Sequence, residues 1–171
     1  IHEISEKSQS LIKIAADEWD SSEVSWNFVA PQVIGDESKN LRLGWDKYRA
    51  NREGTISRAT ALTEEINRTL ISAYGLSREL SAESDASEFD YLKPALGSEA
   101  AGLISYALGC MMGRYSLDEP GLIYAHAGNV DFDANRYTTF PADADGIVPL
   151  TDERWFADDA ASRVREFLLA V

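Results

Sequence analysis

Apolar residues recur along this chain mostly at helical spacing. Ile4, Leu11, Ile14 or Ala15, and Trp19 form one stripe with Glu, Lys and Gln opposite, which predicts a helix over residues 1–19. The alternation of Val24, Trp26 and Phe28 predicts an extended segment, ended by Pro31 and Gly35. Leu41, Trp45, Tyr48, Ile56, Ala59, Leu62 or Thr63, Ile66, Leu70 and Tyr74 then predict a long helix over 38–74. Ser38 would cap its start, and Gly75 before Leu76 would stop it in a left-handed turn. Gly54 costs roughly 1 kcal/mol relative to Ala in a helix interior, so a kink or split is expected between 51 and 55.

Residues 79–93 are acidic and poor in apolar side chains, and with Pro94 and Gly97 they read as a linker within the domain. Ser98 would cap a helix running through Gly113. That helix is expected to be hidden all round, since no charge occurs from Ala100 to Gly113. Asp118-Glu119-Pro120-Gly121 is a turn signature. Short β-like pieces follow at 122–124 and 146–150, separated by an Asp- and Asn-rich loop. A last helix is expected from Thr151 or Asp152 through Val171, with a break at Asp158-Asp159. The sequence therefore predicts a mainly α fold: one helical domain over 1–171, with a long central helix and a few short β-like segments in its C-terminal third.

Composition narrows the class. The 171 residues include 16 Lys and Arg against 29 Asp and Glu, a net charge of −13, with 44% hydrophobic residues, which is ordinary for a globular domain. One cysteine precludes an internal disulfide, and two histidines with it cannot build a Cys/His zinc site. The 14 charge-free residues from Ala100 are too few to span a bilayer, so a soluble, cytoplasmic location without membrane contact is expected. The acidity argues against nucleic acid binding over the whole surface. The chain opens at Ile1 and closes within the apolar pattern Phe167-Leu168-Leu169-Ala170-Val171, which reads as an excised piece of a larger protein.

Catalytic and metal motifs are missing. The sequence has no P-loop, no Gly-rich turn after a strand, no Gly-x-Ser-x-Gly elbow and no His-Glu-x-x-His. His2 is terminal, and His126 reads as a surface-loop residue. Cys110 lies in an apolar helix with no cation beside it to lower its pKa, so packing is its expected role. Asp131, Asp133, Asp143 and Asp145 alternate like calcium ligands. Counted from Asp131, however, an EF-hand would need Gly where Arg136 stands and Glu where Ala142 stands. No catalytic, cofactor-binding or metal-binding residue is assigned.

Two patterns remain. Ser105, Gly109 and Gly113 stand four residues apart on one helix face, which allows close approach of a second backbone and marks them as helix-packing residues. From 39 to 58, Lys39, Arg42, Lys47, Arg49, Arg52 and Arg58 face only Asp46 and Glu53. Clustered cations on a long helix are candidates for DNA phosphates, and a solvated helix face is the plainer reading.

The stretch Leu103-Ile104-Ser105-Tyr106-Ala107-Leu108-Gly109-Cys110-Met111-Met112-Gly113-Arg114-Tyr115-Ser116-Leu117-Asp118-Glu119-Pro120-Gly121-Leu122 has an order that neither helix nor turn chemistry demands. Together with Asp145-Gly146-Ile147-Val148-Pro149-Leu150-Thr151-Asp152-Glu153-Arg154-Trp155-Phe156, it resembles a region of the PglX family, the adenine-specific DNA methyltransferases of BREX phage-exclusion systems. Trp19-Asp20-Ser21, Glu23-Val24-Ser25-Trp26-Asn27-Phe28 and Ile71-Ser72-Ala73-Tyr74-Gly75-Leu76 resemble it in the same order, so the likeness covers most of the chain.

The resemblance implies a parent enzyme that moves a methyl group from S-adenosylmethionine to the exocyclic amine of adenine in double-stranded DNA. The family's catalytic loop reads Asn-Pro-Pro-Tyr, and it holds a flipped base. None of Pro31, Pro94, Pro120, Pro141 and Pro149 adjoins another proline, so no catalytic or cofactor residue transfers to this sequence. The expectation is a C-terminal or spacer region that is non-catalytic, uses no cofactor of its own, and supports DNA recognition or orients the catalytic core. The alternative is a protein-interaction module that binds a partner in a phage-defence complex.

Overall fold

The computed structural model describes residues 2–34, 40–126, 130–153 and 155–171. Its elements are α1 (His2–Asp20), α2 (Leu41–Ala73), α3 (Leu96–Met111) and α4 (Ala160–Ala170), with 3-10 turns at Ala86–Leu92 and Ala134–Arg136. The fold is mainly α, and the described residues contain no β-strand. No helix among them is long and apolar enough to cross a membrane.

The chain divides into two compact units. The first comprises Ile1–Trp19 and Asp46–Ala95. Its core is Ala59, Phe89 and Leu92, with Leu11, Ile14 and Ile56 packed against them. The segment that reads as a linker is therefore part of this core. Asp85 accepts a hydrogen bond from the Ser87 amide and starts the 3-10 turn, which puts Phe89 and Leu92 on its buried side. Two apolar residues one turn apart suffice here, although the surrounding acidic composition hides them.

α2 runs as one uninterrupted helix past Gly54, where the sequence predicts a kink or split. A single glycine costs only about 1 kcal/mol, which packing along a 33-residue helix offsets. Asn40 provides the observed cap, accepting from the amides of Arg42 (3.0 Å) and Leu43 (3.3 Å). Ser38, the expected cap, lies outside the described residues. At the other end Gly75 has φ +72°, and the Leu76 amide reaches back to the Ile71 carbonyl at 2.9 Å, the left-handed stop that the sequence predicts.

The second unit comprises Asp20–Trp45 and Leu96–Val171. α3 packs on α4 around a core of Phe28, Tyr106, Ala107, Cys110, Met111, Tyr115, Phe140 and Phe167. Tyr106 stacks on Tyr115 with centroids 5.0 Å apart, and both meet Phe28 edge-on. α3 is not hidden all round. Its first half is largely exposed, Leu96 and Ile104 included, and burial begins at Tyr106. Ala and Gly contribute little area, so a run without charge does not by itself require burial.

Three other local expectations give way to side-chain chemistry. The 21–30 segment forms turns rather than a strand, with Phe28 buried and Trp26 outside. The β-like stretches at 122–124 and 146–150 have no neighbouring strand to pair with among the described residues. Asp143 and Asp145 instead take the amides of residues 145, 146 and 147 at 2.9–3.1 Å, competing with any ladder. The last helix starts at Ala160, where Asp159 accepts from the Ser162 amide at 2.6 Å; the expected break is in fact its N-cap.

Candidate functional site

The basic run on α2 does not make one face. Lys47, Arg49 and Arg58 are exposed in the first unit, and Arg42 is exposed on the part of α2 that belongs to the second. Lys39 lies outside the described residues. At 3.6 residues per turn Lys47 and Arg58 share a stripe, whereas Arg49 falls about 160° away around the helix. Arg49 has Glu53 one turn on, at 3.8 Å.

Arg52 is turned inward. It is buried, ion-paired through Nη2 with Glu18 of α1, and donates from Nε to the Tyr48 hydroxyl at 3.1 Å. Its guanidinium also lies over the Tyr48 ring, 5.2 Å from the centroid. Burial alone would lower the Arg52 pKa, but Tyr48 and Glu18 more than offset that and raise it. This cation fastens α1 to α2 and is not offered to phosphate.

Several other cations are also engaged within their own units. Lys7 contacts Glu3 at 2.6 Å and Glu65 at 3.0 Å, and Lys13 contacts Asp17 at 3.0 Å. Arg136 grips Glu119 bidentately, with Nε 3.0 and 3.1 Å from the two carboxylate oxygens. Arg163 pairs with Glu166 at 2.7 Å while lying over the Phe140 ring.

Ser105 and Gly109 lie on α3 and Gly113 just past its end; each has a distinct environment, and none packs on a second helix backbone. Ser105 donates to Glu23 at 2.6 Å. A Cβ on Gly109 would come within 2.5 Å of the Tyr115 ring, which folds back over the helix end. Gly113 has φ +74°, and with the Arg114 amide bonded to the Gly109 carbonyl at 2.8 Å it terminates α3. The spacing reflects a close approach of side chains and a helix stop. Cys110 is buried in the core, where burial pushes its thiol up to about 12, consistent with a packing role.

An unforeseen polar cluster lies beside this core. Asp118 accepts from the amides of Thr138 (2.7 Å) and Thr139 (2.9 Å), and from the Thr139 hydroxyl. Burial would raise its pKa, but these hydrogen bonds hold it down at about 2. Ser116 donates to the Arg136 carbonyl at 2.7 Å, and Tyr106 donates to the Ser116 carbonyl at 3.1 Å. A shallow hollow lined by Val29, Ile34, Tyr106, Leu117 and Asp118 adjoins the cluster. The partners are some 20 residues apart in sequence, so no short-range motif signals them. Among the described residues no group of His, Cys, Asp and Glu converges as metal ligands would, and His126 is exposed.

No protein-family model matches the chain. Over 97% of its length it is 33% identical to the adenine-specific methyltransferase PglX of Lacticaseibacillus casei (strain Zhang), of which it covers 14%. Over 95% of its length it is 32% identical to the adenine-specific methyltransferase BrxX of Escherichia coli O9:H4 (strain HS), of which it covers 15%. The chain thus spans about one seventh of the curated relatives it matches. In sequence it is a relative, along nearly its whole length, of one region of the PglX and BrxX adenine-specific methyltransferases.

Proposed function

We propose that this chain is a non-catalytic segment of an adenine-specific DNA methyltransferase of the BREX phage-defence type, and that it orients the catalytic core on double-stranded DNA. The parent would supply the S-adenosylmethionine site and the base-flipping loop. The observation that carries this reading is coverage: the likeness takes in 95–97% of the chain but only 14–15% of each relative. Paired prolines, which an Asn-Pro-Pro-Tyr loop requires, do not occur in the sequence.

The geometry favours orientation through protein contacts over a broad grip on DNA. The cations of α2 are split between two sides, and one of them is buried. Large apolar side chains meanwhile stand in solvent, among them Trp26, Leu150, Trp155 and Leu169 of the second unit. This also supports a second reading, docking on another protein of a defence complex. Of the exposed α2 cations in the first unit, Lys47 and Arg58 share one side and are the candidates for phosphate contact.

The test uses the full-length methyltransferase carrying Lys47→Glu and Arg58→Glu, with methyl transfer followed from labelled S-adenosylmethionine. The single-turnover rate at saturating DNA should be retained. Duplex affinity should fall, with its logarithmic salt slope shallower by about 0.9 for each phosphate contact removed. Unchanged duplex affinity and an unchanged salt slope, in a folded enzyme, would contradict the placing of this stripe on DNA.

A further inference from the structure

Trp26 is wholly exposed, at 102% of the residue's reference area, on a turn held by its neighbours. Asp20 accepts from the Ser25 hydroxyl at 2.6 Å and from the Asn27 side-chain amide at 3.2 Å. The Ser25 hydroxyl in turn accepts from the Asn27 backbone amide at 3.1 Å. Two residues beyond Trp26, Phe28 is locked edge-on between Tyr106 and Tyr115, and three residues before it Glu23 holds Ser105. The turn is pinned on both sides of one projecting indole, and Val24 and Val29 beside it are also exposed. A fully solvated tryptophan on a pinned turn has a large apolar area to bury, and docking it orders only its two side-chain torsions because the backbone is already fixed, the attributes of an interface anchor.

Local charge identifies what it docks on. Among the described residues of the unit that holds Trp26, the stretch 20–34 contains Asp20 and Glu23 but no Lys or Arg. Such a segment repels duplex phosphates and suits an apolar socket rimmed by cations. The curated relatives are about seven times as long as the stretch this chain matches, so a covalently linked partner would be present at high effective concentration. We infer that Trp26 anchors this segment in a Lys- or Arg-rimmed apolar socket elsewhere on the same methyltransferase polypeptide. The inference rests on the reading that the chain is a segment of such an enzyme.

Hydroxyl-radical footprinting of the full-length methyltransferase, read by mass spectrometry at Trp26, tests this directly. In the native enzyme without DNA, Trp26 should oxidise at least about tenfold more slowly than in the urea-unfolded enzyme, because the core of a packed interface excludes solvent. That protection should persist on dilution. An unprotected Trp26 overturns the inference. So does protection that appears only on adding duplex, which assigns the indole to DNA, or protection that disappears on dilution, which assigns it to a second copy. These outcomes are independent of methyl transfer, so the anchor can fail while the function proposed for the segment stands.

Discussion

At Asp118 one carboxylate organises a turn twenty residues away, and the hydrogen bonds it accepts there favour its charged form. Its pKa in the folded protein, about 2, lies below its ordinary 3.8. The hydrogen bonds from Thr138 and Thr139 therefore stabilise the fold in full above about pH 4 and are lost as the pH falls toward 2. Asp118→Asn should be less stable than the unaltered chain at pH 6. The gap, measured by urea unfolding, should narrow steadily below pH 4. A gap independent of pH would show that the carboxylate charge has no part in holding the turn. The sequence marks Asp118 only as the start of a turn signature and gives Arg136 no role, because what defines them is a set of partners that only the fold brings near. Cys110 is different: its apolar helical neighbours already mark it as a packing residue, and its depressed acidity agrees.

Among the elements, α2 shows where periodicity is a sufficient guide and where it is not. Its apolar stripe and Gly75 stop are readable from residue spacing alone. The roles of its glycines are not, because they depend on neighbours remote in sequence. A Cβ at Gly54 meets nothing within 4 Å, whereas one at Gly44 runs into the Val33 carbonyl. The same substitution should therefore have opposite signs within one helix. Gly54→Ala should stabilise by up to about 1 kcal/mol. Gly44→Ala should destabilise by about 1–3 kcal/mol through overpacking. Thermal unfolding of the two variants checks both, and shifts of equal sign would contradict the packing described. The basic run follows the same logic. Six cations in twenty residues read as a patch along the chain, but helical geometry separates Arg49 from Lys47 and Arg58, and Arg52 turns inward to Glu18. The Ala86–Leu92 turn is obscured for the converse reason: acidic flanks mask the two apolar residues that fix it in the core.

For the whole molecule, the residue order of the 103–122 and 145–156 stretches is enough to carry the family likeness, and the relatives bear it out across nearly the full chain. The fold also explains part of that residue order. Gly109 makes room for the Tyr115 ring, Gly113 ends α3, and Ser116 and Asp118 tie the following loop to Arg136, Thr138 and Thr139. Shape-determining contacts of this kind, combined with acidic surfaces and projecting aromatic side chains, suit a segment that positions other parts of an enzyme. On the function proposed above, this polypeptide contributes placement and the parent contributes the reaction. Equilibrium dialysis of the 171-residue chain against labelled S-adenosylmethionine, with and without duplex DNA, tests it most directly. No label should be retained above a serum albumin blank, and saturable binding of one cofactor per chain would overturn this division of roles.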